Sequence, residues 1–101
     1  MAKRTVIWTD TAVKQRRYIL EYWVNRNKST LYAEKLILHI QQKIKTIEKS
    51  PDSYRKTDNP DTHIAVMGHF NIYYKITNSQ IIIVAFWDSR QDPLKLYKII
   101  K

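Results

Sequence analysis

Three sets of side chains in this 101-residue chain have types and spacing suited to chemistry. His63 and His69 can exchange a proton near neutral pH. Arg55, Lys56, Lys75 and Arg90 are cations able to stabilise developing negative charge, and Tyr73 and Tyr97 carry phenols that can donate a proton or stack on a base. Such groups suffice for metal-independent cleavage of RNA. A base takes the 2′-hydroxyl proton, cations stabilise the phosphorane, and an acid protonates the leaving 5′-oxygen. Each residue also has a plainer reading. A strand histidine is more often a surface or satisfied structural residue, and Arg90 can pair with Asp88 or Asp92 simply to fix a turn. Tyr73 can pack under a loop, and Tyr97 can anchor the tail half-buried. A second basic set lies on predicted helices: Lys43 and Lys45, with Lys14, Arg16, Arg17 and Lys49. It either contacts a nucleic-acid backbone or forms a solvated face.

Other chemistries are excluded by composition. There is no cysteine, so no disulfide, thiolate ligand or cysteine nucleophile is possible. A Gly-rich phosphate loop, zinc-ligand spacing and a serine-hydrolase elbow are all missing, and we expect no metal and no cofactor. The 18 Lys and Arg against 9 Asp and Glu give a formal charge of +9 and an isoelectric point near 9.9, which biases the chain toward RNA, DNA or an acidic protein. Most of that excess lies in the first half, where residues 1–50 hold 11 basic and 4 acidic groups. No run reaches the roughly 18 apolar residues of a membrane helix, and the start does not read as a signal peptide. Cytoplasmic residence without a membrane partner is the expectation.

The elements that position these residues follow from periodicity. Arg4–Trp8 is β-branched and aromatic and reads as a strand, and Thr9-Asp10 supplies a helix cap. From Thr11 to about Arg26, Ala12, Ile19 and Trp23 share a helical face, interrupted by Arg16 and Arg17, whose stems can cover apolar surface. Asn25–Thr30 is a polar connection. Ala33, Leu36, Ile37, Ile40, Ile44 and Ile47 then recur at three and four, and Pro51 ends that second helix near Lys49. Residues 51–62 read as loop, and His63–Met67 as a short strand before the only glycine, Gly68. In His69–Thr77, Phe70, Ile72, Tyr74 and Ile76 alternate with His69, Asn71, Tyr73 and Lys75. Ile81–Trp87 is a continuous apolar run, as in a central strand covered on both faces. The order is β-α-α-β-β-β in one domain spanning residues 1–101: an α+β fold with a helical hairpin packed on a small, mainly antiparallel sheet.

Val6-Ile-Trp-Thr-Asp-Thr-Ala12, with Ile19 and Tyr22, resembles the opening strand and first helix of RelE/ParE superfamily toxins. Gly68-His-Phe-Asn-Ile-Tyr-Tyr-Lys-Ile76 and Ile83-Val-Ala-Phe-Trp-Asp-Ser-Arg-Gln-Asp-Pro93 are similar to the family's paired strands and its terminal Arg-x-Asp-Pro element. The resemblance implies the toxin of a type II toxin-antitoxin system, inhibiting growth and encoded beside a cognate antitoxin. That partner's extended or helical segment, typically acidic, wraps and blocks the toxin. Members divide between RelE-type mRNA interferases, which cut ribosome-bound mRNA, and ParE-type inhibitors of DNA gyrase, and the fold does not choose between them. Nuclease members carry an arginine three residues before the strand tyrosine that Tyr74 matches, and here that position is Asn71. Lys75 or His69 would have to replace its charge. Arg90 matches the arginine after the last strand, and Tyr97 lies near the terminal tyrosine with spacing shifted by about one residue. The Arg-Gln-Asp-Pro ending leans toward ParE-like members. The competing expectation is a non-toxic basic nucleic-acid-binding module, or a decayed toxin retained for autoregulation.

Overall fold

The computed structural model describes residues 4–59 and 61–90. Strand β1 spans Thr5–Trp8, and its exit is fixed by Thr9, whose hydroxyl accepts from the Ala12 N–H at 3.2 Å and starts helix α1, Asp10–Asn27. Asp10 in the first turn complements the helix dipole. Lys28 ends α1 in the left-handed conformation, φ 51°, and Ser29 Oγ accepts from the Leu31 N–H at 3.2 Å at the start of α2, Leu31–Lys49. The helix stops before Pro51, which opens a 3-10 turn at Pro51–Ser53 inside the stretch expected to be irregular.

Strands β2 (Thr62–Met67), β3 (Phe70–Ile76) and β4 (Gln80–Asp88) follow as two hairpins. The first turns at Gly68, φ +61°. At the second, Thr77 Oγ1 accepts from the N–H groups of Ser79 and Gln80. The sheet order is β1-β4-β3-β2, with β1 parallel to β4 and the other pairs antiparallel. Both helices pack on one face, where Ala12 and Ile19 of α1 and Leu36, Ile40 and Ile47 of α2 close over Ala65, Phe70, Ile72, Tyr74, Ile81, Ile83 and Phe86. The predicted element order, helical hairpin and mainly antiparallel sheet are those observed.

β4 is central, as the apolar run predicts, but its coverage is unequal. On the face away from the helices Ile82 and Val84 are only half-buried, whereas Ala85 and Trp87, which pair with Tyr73 and Asn71, are buried. The run also conceals a bulge. Tyr73 faces Ala85 whereas Tyr74 faces Ile83, so Val84 has no partner on β3 and the inward-facing parity changes from Ile81 and Ile83 to Phe86 and Asp88. Beyond Ile83 the short β1 no longer pairs with β4. Gln15 of α1 takes over: its side-chain Oε1 accepts from the buried Phe86 N–H at 2.9 Å. Arg16, which interrupts the apolar stripe in sequence, lies over Trp8 with its guanidinium 4.5 Å from the ring centroid.

Candidate functional site

The end of β4 holds the best-defined polar geometry. Asp88 takes the inward parity set by the bulge and is buried, which would be costly for a lone carboxylate. Arg90 satisfies it by donating from Nε to Oδ1 at 3.0 Å, from Nη2 to Oδ2 at 2.7 Å, and from its backbone N–H to Oδ1 at 2.9 Å. Burial pushes the Asp88 carboxyl up, but the side-chain and backbone hydrogen bonds and the charge of Arg90, with His69 adding, outweigh it and hold the group below the usual carboxylate range. The same hydrogen bond raises the guanidinium of Arg90, against a smaller opposing effect of burial. The aromatic rings of Trp23 and Phe70 flank that guanidinium, at 5.2 and 5.9 Å. The bidentate fork leaves Nη1 as the nitrogen not turned to Asp88.

His69 is exposed in the turn beside this pair, where its backbone carbonyl accepts from the N–H and hydroxyl of Ser89. Lys75 lies elsewhere. Phe70 faces Asp88, and Lys75 stands five residues further along β3 and on the opposite face, roughly 16 Å away at the rise of an antiparallel strand. His63 is also apart: it turns inward on β2, is 6% exposed and stacks on Tyr74 with ring centroids 5.3 Å apart. Burial, with Tyr54 and Asp52 contributing, pushes the Tyr74 phenol well above its ordinary value, and its hydroxyl donates to the Pro51 carbonyl at 2.7 Å. This proton is held by the fold rather than offered to a substrate.

The sheet face away from the helices carries a second group. Asn71, Tyr73 and Lys75 of β3 face that way, with Val66, Ile64 and Thr62 opposite them on β2. Asn71 Nδ2 donates to the Tyr73 hydroxyl at 3.4 Å. Arg55 and Lys56 are exposed on the segment that flanks β2, where the Lys56 backbone forms an antiparallel bridge with that of His63 and the Arg55 carbonyl accepts from the Ile64 N–H. On α2, Lys43 Nζ sits 5.7 Å over the Tyr54 ring and Lys45 is exposed. Tyr97 lies outside the described residues. The fold thus brings Arg90 and His69 together at one end of the sheet, places Tyr73 and Lys75 on its other face, and buries His63.

Asp88, Gln15 and Trp23 were not singled out as site-forming residues by sequence. For Gln15 a signal existed: it lies three residues after Ala12 and four before Ile19, on the buried face. Among the described residues no group of three or more His, Asp or Glu side chains could hold a metal ion, and no helix is long and apolar enough to cross a membrane.

A family model described as the ParE toxin of the type II toxin-antitoxin system, parDE, matches residues 6–93. Among solved structures, a chain of the chromosomal ParDE TA system from P. aeruginosa is similar with a TM-score of 0.73 and 14% identity, over 85% of this chain and 96% of that one. A mutant of E. coli toxin RelE in the free state is similar with a TM-score of 0.63 and 13% identity, over 99% of this chain and 95% of that one. At such identities the likeness to these structures is one of fold. A comparison with curated proteins finds no match.

Proposed function

Because the chain belongs to the family of ParE toxins of type II toxin-antitoxin systems, we propose that it arrests growth in the cytoplasm by binding DNA gyrase, and that a cognate antitoxin neutralises it. The observation that supports a binding inhibitor over a nuclease is the dispersal of the acid–base groups. General acid–base cleavage needs a base, an acid and a cation within hydrogen-bond reach of one phosphodiester. Here Arg90 is forked onto Asp88, His63 stacks inside the core, and Lys75 lies about 16 Å along the strand from the Arg90 end. Asn71 offers an amide where a phosphate-stabilising charge would be needed.

One feature favours a second reading, cleavage of ribosome-bound mRNA. Tyr73 and Lys75 share the helix-free face, with the exposed Arg55 beside β2, and together they form a small aromatic and cationic surface suited to single-stranded RNA. The two readings separate on induction of the chain in a bacterial host, alone and with the product of its neighbouring reading frame. Growth arrest relieved by the neighbour, with relaxed plasmid DNA and intact mRNA, is the expected result. Codon-phased cuts in mRNA would establish the nuclease instead, and normal growth would leave a binding module or a decayed toxin.

A further inference from the structure

Helix α2 separates its charges. Lys35, His39, Gln42, Thr46 and Lys49 recur at steps of four, three, four and three, so they form one row along the helix, and Lys43 lies beside that row on its inner side. The row carries no acid and no apolar side chain. Glu34 and Glu48, and the exposed Ile37 and Leu38, lie off it. From Lys35 to Lys49 it runs about 21 Å at the rise of an α-helix.

The basic surface continues onto the sheet. Lys43 Nζ reaches over the Tyr54 ring at 5.7 Å, just before the segment that pairs with β2. In that segment the Lys56 backbone is the antiparallel partner of His63. Paired residues share a face, and His63 turns to the helix side to stack on Tyr74, so Lys56 stands at the sheet edge on the side of α2. Asp52 in the 3-10 turn and Asp58 past Thr57 close the surface at that end. Among the described residues none of Lys35, Lys43, Lys49 and Lys56 has a carboxylate within ion-pair distance, whereas Arg90 has Asp88. A merely solvated helix face commonly sets Glu and Lys four residues apart, where each offsets the other's charge. Here like charges repel along one flank, and a bound polyanion would relieve that repulsion.

We propose that this flank of α2, together with Lys56, is a track for the phosphate backbone of duplex DNA. The make-up of the surface selects the occupant. A protein partner would need an apolar or aromatic anchor at the centre of the contact, and the row has none. Single-stranded nucleic acid would need an exposed ring to stack on, but the Tyr54 ring lies under Lys43 and against Tyr74. Lysines separated by an amide and a hydroxyl suit sugar and phosphate contacts, which position a duplex without reading its sequence. The length of the row matches about six base pairs at a rise of about 3.4 Å along one strand. The choice of DNA over an RNA duplex rests on the gyrase reading given above: a chain docked on gyrase would also hold the DNA that gyrase carries.

The test is fluorescence anisotropy of a labelled DNA duplex of about 20 base pairs, titrated with the purified chain at several salt concentrations, beside an RNA duplex of the same sequence, its single strand and polyglutamate. No gyrase is present, so failure to bind DNA overturns the track and leaves the gyrase reading standing, while failure of gyrase inhibition leaves the lysine track standing. Four lysine contacts predict that log K falls with log salt at a slope of about −3 to −4. Lys35→Ala, Lys49→Ala and Lys56→Ala should each reduce that slope by about one, and the three together should weaken binding about tenfold or more at about 0.1 M salt. Arg17→Ala, which removes an exposed cation of α1, should leave the slope unchanged. All four positions are exposed, so the thermal unfolding midpoints should stay near that of the parent. A loss for Arg17→Ala equal to those on the row would overturn the track in favour of diffuse charge. Polyglutamate, single-stranded RNA or the RNA duplex binding as tightly as DNA would overturn the occupant.

Discussion

Asp88 is the residue on which the end of β4 depends. A buried carboxylate survives only with its lone pairs occupied, and Arg90 occupies them from its side chain and its backbone. Asp88→Asn should therefore destabilise the chain by about 1–3 kcal/mol, as read from urea unfolding at neutral pH. The same pair sets a pH dependence. The Asp88 carboxyl titrates lower in the folded chain than its unfolded value of about 3.9, so its contribution is complete above that value and is lost as pH falls through the lower folded one. The stability gap between parent and Asp88→Asn should narrow across that acid range. A gap that persists unchanged to acid would show that the carboxylate's charge is not what holds Arg90. The types of the candidate residues were legible in the sequence, but their surroundings were not. Arg90 could be named with Asp88 as a partner because the two lie two residues apart after a strand. The inward turn of His63 was hidden, because His63–Met67 shows no strict alternation from which a facing could be read.

At the scale of elements, β4 shows what periodicity can and cannot convey. Seven consecutive apolar residues identify a central strand, but an unbroken run carries no parity, so the bulge at Val84 leaves no trace in it. That bulge turns Asp88 inward, and past the end of β1 the Phe86 N–H is met by Gln15 instead. Gln15→Leu, which keeps the volume but removes the acceptor, should cost about 1–3 kcal/mol in urea unfolding and accelerate exchange of the Phe86 amide. A variant as stable as the parent would mean that this N–H finds another partner. The helices were legible because their apolar stripes and caps agree with each other, down to the stop before Pro51. Gly68 was legible for a similar reason, as the only glycine between two strands. A Cβ there would meet nothing, so Gly68→Ala tests backbone conformation alone and should cost about 1 kcal/mol. A smaller loss on thermal unfolding would show that the turn can relax away from positive φ.

For the whole molecule, family membership sets the class of function and the arrangement of side chains argues for its mode. The excess of positive charge favours any polyanion, nucleic acid or acidic protein alike, so it would speed encounter without choosing the target. Choice falls to the site. A nuclease would need its acid, base and cation gathered, and the fold instead keeps the Arg90 end, the Tyr73 and Lys75 face and the His63 core apart. The most direct measurement is supercoiling of relaxed plasmid by purified gyrase as the purified chain is titrated in, with the neighbouring gene product added back at the end. A dose-dependent loss of supercoiling that the partner reverses is the predicted result. Undiminished supercoiling, together with metal-independent cutting of ribosome-bound mRNA by the same preparation, would contradict it.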